Sequence, residues 1–256
     1  METFVANLDT TTVIFLIVSG FIASFIDSTV GGGGLISTPA LLSLGLPVPY
    51  ALGTNKLAAS IGCFTSVLSF WRAGKIKKAA FTLMPLSFIG SALGAYVVYL
   101  LPEQLMKNII VVLLVAVAVY TYLRKDWGDA GTVEKLGMQA LIGAIVMAFA
   151  MGFYDGFFGP GTGSFLIFGF LYLGYDFVTA AGNALNFASG VGALVSFAVS
   201  GTIIWSYGLI MAAAMIAGAV VGTRLAIKKG ASYVRPLYLL VTTLLIGKQV
   251  YEILLK

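Results

Sequence analysis

From Leu136 to Gly222 the sequence carries only two charged side chains, Asp155 and Asp176. Over the whole chain, 10% of the residues are charged and 59% are hydrophobic, and the mean hydropathy is +1.00. Soluble domains contain about 25% charged residues, because these cover the surface that faces water. So long an uncharged stretch cannot form a water-facing surface. The sequence therefore predicts an integral membrane protein and excludes a separate soluble catalytic domain.

Apolar segments bounded by charged residues, glycine or proline predict the helices. Eight segments have roughly the 20 residues needed to cross a bilayer, at residues 11–29, 50–71, 79–100, 105–124, 137–158, 178–199, 205–227 and 235–255. Two shorter segments, at residues 35–44 and 163–173, each follow a glycine-rich break and predict half-helices. The expected fold class is an all-α polytopic membrane protein in the lipid bilayer.

The sequence also contains an internal repeat. A shift of about 128 residues aligns Asp27 with Asp155, Gly31 and Gly33 with Gly159 and Gly161, and Gly90 and Gly94 with Gly218 and Gly222. We therefore predict a first transmembrane repeat at 1–125, a cytoplasmic linker at 126–136 and a second repeat at 137–256. Each repeat is expected to hold four full helices and one half-helix.

The basic loops change position between the two repeats. The loop at 72–78 is basic, whereas its counterpart around 200–207 has no charge. In the second repeat it is the loop at 224–235 that is basic, and its counterpart at 102–107 holds one acid and one base. Lys and Arg in short loops mark the cytoplasmic side. We therefore predict inverted repeats, with loops 72–78 and 224–235 in the cytoplasm and both termini outside.

Several kinds of chemistry are excluded. The chain has no histidine and one cysteine, Cys63, so the usual zinc spacings and an intrachain disulfide are absent. It also lacks the G-x-x-x-x-G-K-[ST] pattern of P-loop ATP hydrolysis. The formal net charge of +5 reflects basic loops and indicates orientation rather than nucleic-acid binding. We expect no metal, no cofactor and no nucleic-acid partner, and the oligomeric state stays open, a homodimer included.

The two breaks are candidate binding sites for a small anionic substrate. The first contains Gly31, Gly32, Gly33 and Gly34, and the second contains Gly159, Gly161, Thr162 and Gly163 with Pro160 between them. Non-helical backbone at membrane depth occurs where protein or a water-filled cavity satisfies its polar groups. Glycines let several N–H groups converge, and the start of a half-helix adds positive dipole character, so such a place favours an anion. The alternative is that these glycines only allow close helix packing.

Three ionisable residues lie near the breaks. Asp27 and Asp155 precede them, and burial disfavours the charged form of a carboxyl group, so one or both are predicted to couple proton movement to an anion. Alternatively, each aspartate caps a broken helix end. Lys56 is predicted to contact substrate together with Thr54, Asn55, Asn183 and Asn186, which follow the half-helices. The alternative for Lys56 is a structural ion pair with Asp27.

These residues carry a resemblance to a known family. The segments from Gly20 to Leu35, from Pro39 to Leu42 with Gly45, and from Ala51 to Leu57 resemble the first half of the sulfite exporter TauE/SafE family, also called the toluene-sulfonate uptake permease family. The second half is similar through Gly152, Asp155, Gly156, Gly159, Gly161, Gly163 and the segment from Ala180 to Asn186. The resemblance implies a permease of the bacterial or archaeal inner membrane for sulfite, sulfonates or sulfoacetate.

Taken together, the sequence predicts a secondary transporter and not an enzyme. The expected cargo is a small sulfur-containing oxyanion, bound between the two breaks and moved by alternating access between the repeats, with a proton gradient as the driving force. An anion channel, sodium coupling and an intramembrane enzyme with Asp27 and Asp155 as a dyad are the alternatives. The identity of the anion and the direction of transport stay open.

Overall fold

The computed structural model describes residues 8–76, 78–123, 137–173 and 178–229, which form helices and turns with no strand among them. The helices are α1 (Thr10–Val30), α2 (Gly34–Ser43), α3 (Val48–Arg72), α4 (Lys78–Leu100), α5 (Glu103–Leu123), α6 (Met138–Phe157), α7 (Thr162–Tyr172), α8 (Val178–Val199) and α9 (Trp205–Lys229). All the helices predicted within these ranges are confirmed. The predicted linker at 126–136 and the predicted helix at 235–255 lie outside the described residues.

Five of these helices, α1, α4, α6, α8 and α9, are long and apolar enough to cross a membrane. Large apolar side chains such as Ile14, Leu93, Val146 and Ile216 lie exposed on the outer faces of four of them. In water such surfaces would drive association, whereas lipid tails solvate them. The chain is therefore an all-α, multi-pass membrane protein.

Helix α3 differs from the others because it lies in the interior of the bundle, packed against α8 and α9. It is 25 residues long, but Thr54, Asn55 and Lys56 make its first half polar. All three side chains are buried. Polar groups facing lipid would lack hydrogen-bond partners, so a helix of this composition is stable only when protein surrounds it.

Glycines set the closest helix contacts, and these occur in two matching pairs. α1 packs along α9, and α4 packs along α6. A Cβ atom added to Gly218 would overlap the carbonyl oxygen of Phe21, and one added to Gly90 would overlap that of Phe149. Small residues are the usual means by which membrane helices approach each other closely. The 128-residue shift relates Gly90 to Gly218 and Phe21 to Phe149, so the two contacts use corresponding residues.

The two half-helices are present where the sequence predicts them. α2 has 10 residues and α7 has 11, and at 1.5 Å per residue each extends over about half of a 30 Å hydrocarbon layer. Each begins directly after a glycine break. In these breaks φ is +66° at Gly31, +122° at Gly32, +94° at Gly159 and +87° at Gly161. L-residues with a side chain rarely adopt such angles, so glycine is what allows the chain to turn here.

Candidate functional site

The two glycine breaks lie against each other. The Ser164 hydroxyl, at the start of α7, donates a hydrogen bond to the Gly31 carbonyl. A Cβ atom on Gly31 would overlap the backbone of Gly163, and one on Gly34 would lie 2.9 Å from the Cα atom of Pro160. The first turns of α2 and α7 therefore start side by side, although they are far apart in the sequence.

A small cavity opens where the breaks meet. The volume in which water molecules can be centred is about 30 Å³. One water needs about 10–15 Å³ of such volume, so the cavity has room for two or three waters or one small ion. Twelve of the predicted site residues line it: Asp27, Gly32, Gly33, Gly34, Asn55, Lys56, Asp155, Gly159, Gly161, Thr162, Gly163 and Asn186.

The three other predicted site residues lie outside the cavity lining. Gly31 packs against Gly163. The Thr54 hydroxyl accepts a hydrogen bond of 3.0 Å from the backbone N–H of Ile204, just before α9, which ties α3 to α9. Asn183 is buried in α8. Gly31 and Thr54 thus hold neighbouring elements together rather than facing the cavity.

The strongest electrostatic contact in the cavity joins Lys56 of α3 to Asp155 of α6. The Lys56 Nζ atom lies 2.7 Å from Asp155 Oδ1, and the two side chains are 5% and 3% exposed. Lys56 thus pairs with the aspartate of the other predicted repeat, and the alternative pairing with Asp27 is wrong. The second carboxylate oxygen of Asp155 is buried and has no hydrogen-bond partner among the described residues. A buried ion pair offsets its desolvation cost only when its remaining lone pairs are satisfied, so this pair is incompletely compensated.

Gly159 makes room for this ion pair. A Cβ atom at this position would lie 2.8 Å from Lys56 Nζ and 3.1 Å from the carbonyl oxygen of Asp155. Any side chain at Gly159 would therefore displace the ammonium group. Its φ of +94° independently disfavours other residues.

Asp27 has a different set of partners. Its Oδ1 atom accepts hydrogen bonds of 2.9 Å from the N–H groups of both Gly32 and Gly33. Its Oδ2 atom accepts from the Cys63 thiol at 3.2 Å and from the Asn186 amide at 3.3 Å. Asp27 therefore caps the start of α2, as the alternative interpretation of the sequence expected. Two of the N–H groups predicted to hold an anion are occupied by the chain's own carboxylate.

Sequence reasoning missed part of the cavity wall. Ser60 and Cys63 of α3 also line it, and they follow Lys56 by four and seven residues, which is the spacing of one helix face. The Ser60 hydroxyl and the Asn55 side-chain oxygen are buried and have no partner among the described residues. Within the same ranges, no three Cys, Asp or Glu side chains come together to hold a metal ion.

The sequence model of the family described as Sulfite exporter TauE/SafE matches residues 16–248 of the chain. The chain belongs to the sulfite exporter TauE/SafE family. It is therefore a membrane transporter and not an enzyme, and the resemblance carried by the glycine breaks is confirmed.

Similar members of the TauE/SafE family include three proteins from different bacteria. A probable membrane transporter protein, ORF9, of Sinorhizobium sp. is 39% identical over 89% of this chain and 88% of its own length. One of Haemophilus influenzae is 37% identical over 96% of both chains, and YfcA of Escherichia coli K12 is 34% identical over 90% of this chain and 87% of its own. Their names state transport and no substrate. No solved structure shows a significant match to the chain.

Proposed function

We propose that this TauE/SafE protein is a proton-coupled secondary transporter of a small sulfur-containing oxyanion, such as sulfite or an organosulfonate. The observation that carries the proposal is the Lys56 ammonium. In the described part of the chain, it is the one cationic side chain that lines the cavity. An ammonium group buried at membrane depth is expensive, and it is retained where it binds a substrate or an ion.

The chemistry of the cavity suits an oxyanion. An ammonium group supplies up to three donors to a compact charge, and the Ser60 hydroxyl and the Asn55 amide line the same space. Charge-assisted hydrogen bonds of this kind are about twice as strong as neutral ones. The cavity volume of about 30 Å³ accepts a small headgroup only, so an organosulfonate with a longer chain requires the site to open towards one side.

Alternating access between two inverted repeats is supported by the helix contacts. The α1–α9 contact and the α4–α6 contact use residues that the repeat aligns, and each joins one helix from either half. In transporters built from inverted repeats, substrate sites form at broken helices between the halves, and one half or bundle rocks against the other. We place the protein in the inner membrane with the turn at Gly74 in the cytoplasm and the turn at Gly201 outside.

Binding to the purified protein in detergent tests the substrate class. Thermal shifts are measured with sulfite, thiosulfate, sulfate, taurine, sulfoacetate and short carboxylates. The comparison uses Gly159→Ala, whose methyl group displaces Lys56, and Gly201→Ala as the matched control. Gly201 also has positive φ, at +67°, but a Cβ atom there meets nothing within 4 Å. Both variants bear the same kind of backbone strain, so only Gly159→Ala should lose binding.

A selective and saturable shift with a sulfur oxyanion, weakened by Gly159→Ala and kept by Gly201→Ala, is the expected result. The absence of a shift with every sulfur anion would contradict the proposed substrate class. Flux measurements in proteoliposomes then separate a carrier from an anion channel, because a carrier saturates and is accelerated by substrate on the opposite side.

A further inference from the structure

We propose that Lys56 alternates between two partners, Asp155 and the substrate anion, and that the coupling proton binds to Asp155 and not to Asp27. This inference rests on the function proposed above and names the groups that couple it. The two aspartates are equivalent in the sequence repeat, so the distinction comes from their different surroundings in the folded protein.

Asp27 has no position left for a proton. An ionised carboxylate is only an acceptor, with about four lone-pair sites. Four donors already point at Asp27: the N–H groups of Gly32 and Gly33, the Cys63 thiol and the Asn186 amide. A proton on Oδ1 would point an O–H group at the Gly32 or Gly33 N–H group, and the capped end of α2 would lose an acceptor. A proton on Oδ2 would require the Cys63 thiol to turn from donor to acceptor, and sulfur is only a weak acceptor.

Asp155 has a vacant position. Its Oδ1 atom faces Lys56, whereas Oδ2 is buried without a partner among the described residues. A proton on Oδ2 removes the carboxylate charge without breaking another hydrogen bond. Lys56 is then a buried cation without a counter-ion, which is the condition under which it binds an anion most strongly.

The exchange is balanced in charge. In the resting state the Asp155 carboxylate neutralises the Lys56 ammonium. A proton forms an O–H bond on Asp155, the ion pair opens, and the anion takes the place of the carboxylate at Lys56. No bond between heavy atoms forms or breaks. One proton therefore enters with one anion, and a monovalent anion moves without net charge.

The charge of the Lys56–Asp155 pair explains why proton binding and anion binding are linked. A proton without an anion leaves this pair with a charge of +1, and an anion without a proton leaves it with −1. Both states place an uncompensated charge at membrane depth, which is strongly unfavourable.

The other ionisable groups do not interfere with this exchange. The remaining ones in the described cavity lining are Asp27 of α1 and Cys63 of α3, while α2, α7, α8 and α9 bring uncharged residues to it. α4 faces α6 through Ser87 and Ser91. Asp27 keeps its four donors throughout, so its charge is the same before and after the exchange.

The test measures anion binding to the purified protein as a function of pH, with monovalent probes that do not titrate between about pH 5.5 and 8: methanesulfonate and ethanesulfonate. Linkage of one proton to one anion predicts that wild-type affinity falls about tenfold per pH unit in the alkaline range. Asp155→Asn mimics the protonated side chain, so its binding should be independent of pH and at least about tenfold tighter at pH 8. Asp27→Asn disturbs the cap of α2 and weakens binding at every pH, but it should keep the wild-type slope, because the slope reports the linked proton and not the absolute affinity.

A second measurement does not depend on any variant folding. In weakly buffered solution, wild-type protein should take up one proton for each anion bound, which a pH-sensitive dye reports. Proton uptake of zero, or a pH slope kept by Asp155→Asn, would overturn the exchange while leaving anion binding intact. A slope lost in Asp27→Asn and kept in Asp155→Asn would assign the proton to Asp27 instead. No binding of any of these anions, nor of sulfite or sulfoacetate, would overturn the proposed function itself.

Discussion

Replacing Lys56 with methionine tests whether the buried ion pair exists as the structure describes it. Methionine keeps the length of the side chain and removes its charge, which leaves the Asp155 carboxyl group, 3% exposed, without its counter-ion. Removing one partner of a buried pair costs about 3–5 kcal/mol of folding stability. For a chain of this size that corresponds to a fall in melting temperature of about 6–20 °C, at roughly 2–4 °C per kcal/mol.

The single variant Asp155→Leu is measured as well, and the double variant Lys56→Met with Asp155→Leu completes the double-mutant cycle. It removes both charges, and buried pairs replaced by apolar residues are often as stable as the original or more so. We therefore expect its melting temperature to return close to that of the wild type, with a coupling energy of a few kcal/mol between the two positions. Lys228→Met, at an exposed position near the end of α9, is the control and should change stability by less than about 0.5 kcal/mol.

Differential scanning fluorimetry in detergent measures all five proteins at neutral pH. Two results would refute the reasoning. One is a shift of Lys56→Met no larger than that of Lys228→Met, and the other is a double variant less stable than either single variant.

Three further changes probe other parts of the structure. Cys63→Ser keeps a donor to Asp27 and should stay near wild-type stability in thermal unfolding, whereas Cys63→Val removes the donor and should cost about 1–3 kcal/mol; equal effects would show that the thiol does not donate. Gly218→Ala should separate α1 from α9 and lower the melting temperature by several degrees, while Gly137→Ala, whose Cβ atom meets nothing and whose φ of −82° suits a side chain, is the control and should change it little. Gly74→Cys should react with an impermeant thiol reagent only from the cytoplasmic side and Gly201→Cys only from outside, with wild-type protein as the blank; labelling of both from one side would contradict the proposed topology.

The helices were predictable because their signal is local. A span is a run of apolar residues that ends at charge, glycine or proline, and each helix in the described ranges begins and ends close to such a residue. The two half-helices were equally visible, because four glycines from Gly31 to Gly34 cannot continue α1 and Pro160 interrupts the chain before α7. The two breaks could be assigned to one candidate site because the repeat aligns them and because irregular backbone at membrane depth lines a cavity.

The partners of the ionisable groups were not predictable in the same way. The sequence offers Lys56 two aspartates at equivalent positions of the repeat, and local pattern gives no reason to choose Asp155 over Asp27. The choice depends on how α1, α3 and α6 are arranged around the cavity, which no local pattern in the sequence encodes. Cys63 was visible as a neighbour of Lys56 on one helix face, but its role as a donor to Asp27 follows only from the position of α1.

The difference between the two aspartates shows how a repeat can yield two functions from one motif. Each aspartate precedes a glycine break. The first N–H groups of the half-helix that follows have no partner within the helix, so they need another acceptor. At the first break Asp27 fulfils this role directly, through Gly32 and Gly33. At the second break Asp155 is held by Lys56 instead, and one of its oxygens is left without a partner. Hydrogen bonds to Asp27 therefore fix the first half of the site, whereas a single lysine holds the aspartate of the second half, and the exchange proposed above uses this asymmetry to couple an anion to a proton.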